Sequence, residues 1–415
     1  MAIIKAFKGI RPKNNLAQKI ASKPYDVLNE KEANEEAKDN PYSFYHVVKP
    51  EIDLLHLSSY YVPEVYEKGA SNFKAMIDQQ WMMQDETDSM YIYQQEMNGR
   101  KQNGLVACAA IDDYFNDVIK KHELTRPDKE EDRKNHVRYG KMNAEPVFFS
   151  YKKNNEVDVI VDKIIQQNKP EFDFTAEDGI AHRLWVINDS TVIARLILLF
   201  DEIGNTYVAD GHHRTAAAAL VGKEMRDANP NHSGNEHYNY FLAVHFPDDQ
   251  LQIMDYNRVV KDLNHLSEEE FLSKLSENFD IIPQEKEIYK PEQLHTFGMY
   301  LNQKWYKLEA KKHTYDDSDP IGVLDVTILS NCVLSSLLNI KDLRTDKRID
   351  FVGGLRGLKE LEKRVNSGEM KVAFALYPVS MKQLIDIADS GQIMPPKTTW
   401  FEPKLRSGLI VHSLK

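Results

Sequence analysis

The chain has 415 residues, of which 42% are hydrophobic and 28% charged, and its length predicts two or three domains, because single cores rarely exceed roughly 250–300 residues. A formal net charge of -11 without a basic stripe argues against nucleic-acid binding, and no run approaches the roughly 20 apolar residues of a membrane span. The apolar run at the start is too short for a signal peptide, so we expect a cytoplasmic protein with a small-molecule ligand.

The predicted N-terminal α/β segment covers residues 1–110. Asn29 followed by Glu32 is a capping-box pattern and predicts a charged helix in NEKEANEEAKD that ends before Pro41. A helical stretch near 58–81 precedes two strand-like runs, SMYIYQQEM and GLVACAAIDDY. We expect these runs to pair antiparallel across the polar turn NGRKQNG.

Residues 111–250 form the predicted core segment. Helix and strand patterns alternate between 160 and 220, which favours an α/β or α+β core. Residues 251–415 form a predicted C-terminal α/β segment, rich in helix patterns, that ends in the loop MPPKTTWFEPK. The chain is therefore predicted to be an α+β protein with three segments.

The strongest candidate site is the run Asp210-Gly211-His212-His213-Arg214, where a strand pattern turns into an alanine-rich helix. Free amides at a helix N-terminus and the helix dipole favour an anion, and Arg214 can add a bidentate fork to phosphate. The histidines can donate further hydrogen bonds, and Asp210 can hold a histidine tautomer or Mg²⁺. The sequence therefore predicts phosphate binding here.

Two other interpretations of this run stay open. Asp210 could simply cap the helix, with the histidines at the surface. Alternatively, the histidines could bind a catalytic zinc. Neighbouring helical residues point about 100° apart, however, and no HExxH motif accompanies them, so we predict no metal site made by the protein alone.

The second candidate cluster is His122-Glu123-Leu124-Thr125, which follows two lysines. Glu123 could be the general base of a phosphoryl transfer, with His122 beside it and Thr125 placing the substrate. The alternative is a charged strand end with local ion pairs.

The third candidate lies in MPPKTTWFEPK, where two prolines stiffen the chain before Lys397 and Thr398. A cation and a hydroxyl could bind an anionic substrate. A purely structural C-terminal segment is the alternative.

Five motifs in order carry a resemblance that spans almost the whole chain: PYDV, NPY, KKHELT, VADGHHRTA and MPPKTTWFEPKLRSGL. On these motifs the chain is identified as a member of the bacterial and archaeal family called domain of unknown function 1015. That family name implies no activity.

A more remote resemblance does imply one. A His-Glu element followed by strand-Asp-Gly-His-His-Arg-helix resembles the free serine kinases, which share a fold group with sulfiredoxin and the ParB CTPases. The resemblance implies a ParB/sulfiredoxin-like mixed α/β core and a kinase that uses ADP or ATP with Mg²⁺ and acts on serine or a similar hydroxyl metabolite. It makes residues 210–214 the phosphate binders and Glu123 the base.

The chain departs from the kinase pattern in the longer spacing from Glu123 to Asp210, as though the region 150–190 were an insertion. Asp26 or Asp112 could therefore be the base instead. A nucleotide-binding switch or slow hydrolase without an acceptor is the alternative function. Sulfiredoxin-like chemistry would need a cysteine where this chain has His212. The sequence leaves the oligomeric state open.

Overall fold

A computed structural model describes residues 1–55, 57, 59–284 and 288–415. The strands are β1 (Ile4–Lys5), β2 (Ile10–Pro12), β3 (Met82–Gln84), β4 (Met90–Met97), β5 (Arg100–Ala110), β6 (Ile119–Lys120), β7 (Met142–Asn143), β8 (Val147–Tyr151), β9 (Phe172–Thr175), β10 (Ala181–Ile187), β11 (Thr206–Asp210), β12 (Tyr240–Pro247), β13 (Tyr256–Val260), β14 (Phe279–Gln284), β15 (Thr296–Leu301), β16 (Lys304–Ala310), β17 (Ile349–Gly353), β18 (Val372–Leu376) and β19 (His412–Ser413).

The α-helices are α1 (Ala17–Ile20), α2 (Glu30–Ala37), α3 (Tyr45–Val48), α4 (Pro63–Asp78), α5 (Ile111–Phe115), α6 (Pro127–Gly140), α7 (Asn155–Gln167), α8 (Ser190–Ile203), α9 (His212–Ala228), α10 (Glu268–Leu275), α11 (Asp325–Leu329), α12 (Leu358–Asn366) and α13 (Met381–Asp389). A π-helical stretch, Ser330–Ser335, continues α11. Within the described ranges, no helix is both long and apolar enough to cross a bilayer.

The chain divides into two compact units. The first contains Met1–Leu251 together with Pro403–Lys415, and the second contains Gln252–Glu402. The predicted boundary between residues 250 and 251 lies one residue before Leu251, where the first range of the first unit ends. The predicted boundary between residues 110 and 111 instead lies inside the first unit, between β5 and α5. The division into three segments stays a prediction.

The main sheet of the first unit has the strand order β6-β11-β8-β12-β5-β4-β10-β9, and β1 pairs with β5. β4 and β5 pair antiparallel, as predicted. The turn between them is only Asn98-Gly99, not the whole of NGRKQNG, because β5 already begins at Arg100. Asn98 and Gly99 both have positive φ, which suits a two-residue hairpin turn.

Helices pack against this sheet through small or branched residues. α9 buries four consecutive alanines, Ala216 to Ala219, two of which join a core cluster with Val208 and Phe241. α7 and α8 contribute Val157, Val161, Leu196, Leu199 and Phe200 to a second buried cluster. The capping box predicted for α2 is present, because Asn29 and Glu32 each accept from the other's backbone N–H.

The second unit contains an antiparallel sheet with the strand order β14-β16-β15-β18-β13-β17. α12 packs on it through Leu361, beside Val259 and Trp305. The mixed sheet with packed helices in the first unit and the antiparallel sheet in the second confirm the predicted α+β class.

Candidate functional site

A bulged strand end places Asp210 at the edge of the first unit's sheet. β11 pairs antiparallel with β8, and the register shifts between Val208 and Asp210. Such a shift re-aims the neighbouring side chains. Gly211 follows with a φ of +93°, a conformation that glycine adopts without a Cβ penalty, and α9 begins at the next residue. The strand, turn and helix expected from the sequence are therefore present.

The first turn of α9 offers backbone N–H groups to a ligand. The first amides of a helix have no acceptor within the helix. Gly211 supplies no side-chain cap, and the first turn contains no acidic residue. The helix dipole adds a partial positive charge at the same end, so this end of α9 favours an anion.

Two cations hold the carboxylate of Asp210. Arg214 donates from Nη2 to Oδ2 at 3.0 Å, and Lys404 donates from Nζ to Oδ1 at 3.2 Å. Burial alone would raise the pKa of Asp210, but Lys404 and Arg214 outweigh it and lower the pKa to about 2. Asp210 is therefore ionised at neutral pH. These contacts differ from those of a helix cap, which would accept from backbone N–H groups of α9.

Arg214 folds back over the turn that precedes it. Its side chain is 7% exposed, and Nη1 donates to the carbonyl of Pro146 at 2.8 Å. A Cβ at Gly211 would lie 3.0 Å from both Nε and Nη2 of Arg214, so glycine supplies space as well as conformation. Both terminal nitrogens of this guanidinium, which we expected to bind phosphate, already donate hydrogen bonds within the protein. The phosphate-binding role of Arg214 stays a prediction.

Two buried histidines pack edge to face beside the turn. The ring centroids of His122 and His212 lie 4.5 Å apart, and Nδ1 of His212 lies 3.8 Å from Oε2 of Glu123. Burial lowers the pKa of His122 to about 4 and that of His212 well below its usual range. Both rings are therefore neutral at pH 7, and they can offer hydrogen bonds rather than charge.

The loop after β6 also contacts His213. Nε2 of His213 accepts from the backbone N–H of Arg126 at 2.9 Å, and burial lowers the pKa of His213. Thr125 donates to Glu130 at 2.8 Å, a local contact with α6. A substrate-binding role for Thr125 stays a prediction.

Parallel strands explain why residues so far apart in sequence meet. β6 pairs parallel with β11, with Ile119 opposite Thr206 and Lys120 opposite Tyr207. The carboxyl ends of both strands therefore lie at the same edge of the sheet, which brings His122 and Glu123 to the start of α9. Ligands of α/β sheets commonly bind at such an edge.

The structure adds Lys404 to the site and separates the two alternative bases. Lys404 was overlooked within MPPKTTWFEPK because only the fold shows that it reaches Asp210. Asp26 lies close enough to perturb the pKa of His213. Asp112 instead accepts from Arg226 at 2.8 Å, in the last turn of α9. The suggestion that Asp112 could be the base is therefore wrong, because it sits at the far end of that helix.

Lys397 and Thr398 lie in the second unit and make local contacts there. The carbonyl of Lys397 accepts from Nη2 of Arg258 at 2.8 Å, and its ammonium lies 5.9 Å from the ring of Tyr256. The hydroxyl of Thr398 donates to the carbonyl of Pro395 at 2.6 Å. Their substrate-binding role stays a prediction.

A model of one protein family matches residues 4–327, and its description is "Protein of unknown function (DUF1015)". The chain therefore belongs to this family, as the motifs predicted. No curated protein matches the chain.

Several solved structures resemble the chain remotely. A conserved hypothetical protein from Pyrococcus furiosus is 14% identical and has a TM-score of 0.35, with 74% of this chain and 95% of that chain covered. Free serine kinase in complex with AMP is 13% identical, with a TM-score of 0.35 and coverage of 74% and 91%. SbnI with a C-terminal truncation, from Staphylococcus aureus, is 11% identical, with a TM-score of 0.39 and coverage of 75% and 89%. Likenesses at these scores decide nothing about activity.

Proposed function

We propose that this chain is a nucleotide-dependent phosphotransferase that acts on the hydroxyl of a small metabolite, with serine or a similar compound as the leading acceptor. One observation carries the proposal. The start of α9, where Gly211 provides no side-chain cap, lies beside a partly buried, ionised carboxylate and its lysine, at the sheet edge that Glu123 also reaches. A protein catalyses phosphoryl transfer mainly by positioning the reactants and by stabilising charge in the transition state, and these groups can do both.

Each group has a role that suits its charge. The first N–H groups of α9 receive phosphate oxygens, and Lys404 neutralises charge that develops on them. Neutral His212 and His213 add hydrogen bonds. Glu123 has a side chain that is 40% exposed, so an acceptor hydroxyl can approach it and lose its proton to it.

Magnesium fits the site only together with a nucleotide. Among the described residues no group of three His, Cys, Asp or Glu side chains could hold a metal. Mg²⁺ is commonly bound through one or two carboxylates plus substrate phosphates, and the ionised Asp210 could provide one. When bound, the ion would neutralise phosphate charge. Asp210 would have to exchange a contact with Lys404 or Arg214.

The test is the formation of phosphoserine from serine, Mg²⁺ and either ADP or ATP, followed by ³¹P NMR. We expect Glu123→Gln to lower kcat by roughly 10²-fold or more, as loss of a general base does. Asp112→Asn is the matched control at the far end of α9 and should leave kcat unchanged. If neither serine nor a panel of small alcohols is phosphorylated with either nucleotide, the proposal fails.

A second candidate is a nucleotide-binding switch or slow hydrolase without an acceptor. Asp210, Arg214 and Lys404 already satisfy one another, and a nucleotide would have to exchange these contacts. Two alternative sets of contacts are what a two-state switch requires. This candidate predicts tight nucleotide binding without transfer, and Glu123→Ala would leave binding and hydrolysis unaffected.

A further inference from the structure

Arg214 also lines a cavity within the first unit. Most of its lining is apolar and comes from α3, α4, α6, α9 and the strands β7, β8 and β12. The apolar lining includes Val47, Val48, Val137, Met142, Ala217 and Leu242. Its partly exposed lining residues include Ala70 on α4 and Val137 on α6, so the cavity reaches the surface between these two helices.

One wall of the cavity is polar and buried. The side chains of Arg133, Glu145 and Arg214 line it and are only 7–8% exposed. Arg133 donates to Asp132 through Nε and Nη2, while its Nη1 stands 3.6 Å from Glu145, beyond a normal hydrogen bond. Nε of Arg214 is buried without a partner in the described part of the chain.

The wall has more donors than acceptors. Each guanidinium carries five N–H groups. Oε1 of Glu145 already accepts from the backbone N–H of Tyr25 and the hydroxyl of Ser407, both at 3.1 Å. Arg133 is paired with Asp132 and Arg214 with Asp210, which leaves Nη1 of Arg133 and Nε of Arg214 as the donors without a normal hydrogen bond to the described residues. A ligand that complements this wall brings acceptor oxygens.

The cavity is small. The space open to a water-sized sphere is about 50 Å³. One water needs roughly 10–15 Å³ by this measure, so the cavity takes on the order of four water-sized groups. That size suits a short carbon chain with one polar end and excludes a nucleotide.

We propose that this cavity binds a short-chain monocarboxylate of about two or three carbons, with its carboxylate against Arg133 and Arg214 and its alkyl part among the valines. Arg214 then contributes both to this cavity and to the Asp210 turn. The binding does not depend on phosphoryl transfer and can be measured without a nucleotide.

The experiment titrates the full chain with propionate and with the isosteric neutral amide propionamide, by calorimetry. Losing a charged hydrogen bond costs about 1.5–3 kcal/mol, so we expect propionate to bind roughly ten- to a hundredfold more tightly than the amide. Ala70→Leu should block the mouth and weaken the binding of propionate by at least about tenfold. Ala194→Leu makes the same change at an exposed position of α8 and should leave binding unchanged.

Three results would overturn the proposal: equal affinity for the acid and the amide, unchanged affinity in Ala70→Leu, or a loss in Lys404→Met as large as in Ala70→Leu. The last result would place the carboxylate at the Asp210 turn. Circular dichroism checks that Ala70→Leu folds, and Val137→Phe blocks the mouth from α6 if it does not. Failure of the kinase assay leaves this measurement intact, so the two proposals fail separately.

Discussion

Replacing Gly211 by alanine tests how the turn is built. The new methyl group meets two obstacles. An alanine must adopt a φ of +93°, and its Cβ would lie 3.0 Å from Nε and Nη2 of Arg214 and 3.1 Å from Cζ. Because the guanidinium is buried and bonded to Asp210 and Pro146, the few tenths of an ångström by which it must give way strain those hydrogen bonds.

The two costs are of different kinds. A left-handed conformation costs a residue with a Cβ about 1–2 kcal/mol. Displacing the guanidinium strains a charge-assisted hydrogen bond, whose full loss costs about 1.5–3 kcal/mol. We therefore expect Gly211→Ala to lower the free energy of unfolding by more than the backbone cost alone and by up to about 5 kcal/mol, measured by urea-induced unfolding followed by circular dichroism.

Gly234→Ala is the matched control for this measurement. Gly234 has nearly the same φ, +94°, but a Cβ there would meet nothing within 4 Å. It should therefore show only the backbone cost of about 1–2 kcal/mol. If the two variants lose the same stability within about 0.5 kcal/mol, the packing of Arg214 on Gly211 has no energetic role and the reasoning is refuted.

Other predictions concern charge near the site and in the core. Lys404→Met should raise the pKa of Asp210 from about 2. Stability from this carboxylate is present above its usual pKa of 3.8 and disappears as the pH falls towards 2, so acid unfolding should begin at a higher pH. His245 has both ring nitrogens buried without partners among the described residues, and burial lowers its pKa to about 3. His245→Phe should raise the free energy of unfolding by about 1–3 kcal/mol. It should also reduce the loss of stability that this histidine causes as the pH falls from 6.5 towards 3, which urea unfolding at pH 7 and pH 5 would measure. Asp26→Asn should cost less phosphotransferase activity than the substitution of Glu123, and a greater loss would move the base to Asp26.

Local signals in the sequence predicted local structure well. The pair Asn29 and Glu32 indicated a capped helix start, and both hydrogen bonds of the capping box are present. The strand before Gly211 and the alanine-rich helix after it were predicted from the sequence equally well. Lys404 was not, because it reaches Asp210 across 194 positions of sequence and nothing local distinguishes it from Lys397. Pairings of that kind are set by the fold, and sequence spacing does not report them.

The long spacing from Glu123 to Asp210 does not weaken the case that they belong to one site. Between them the chain passes through α6, β7, β8, α7, β9, β10 and α8, and then returns as β11 to pair parallel with β6. A parallel pair requires such a crossover, so extra elements lengthen the path without separating the strand ends. The contact between His122 and His212 shows the result. Whatever the base proves to be, the loop after β6 and the start of α9 should be treated as one surface.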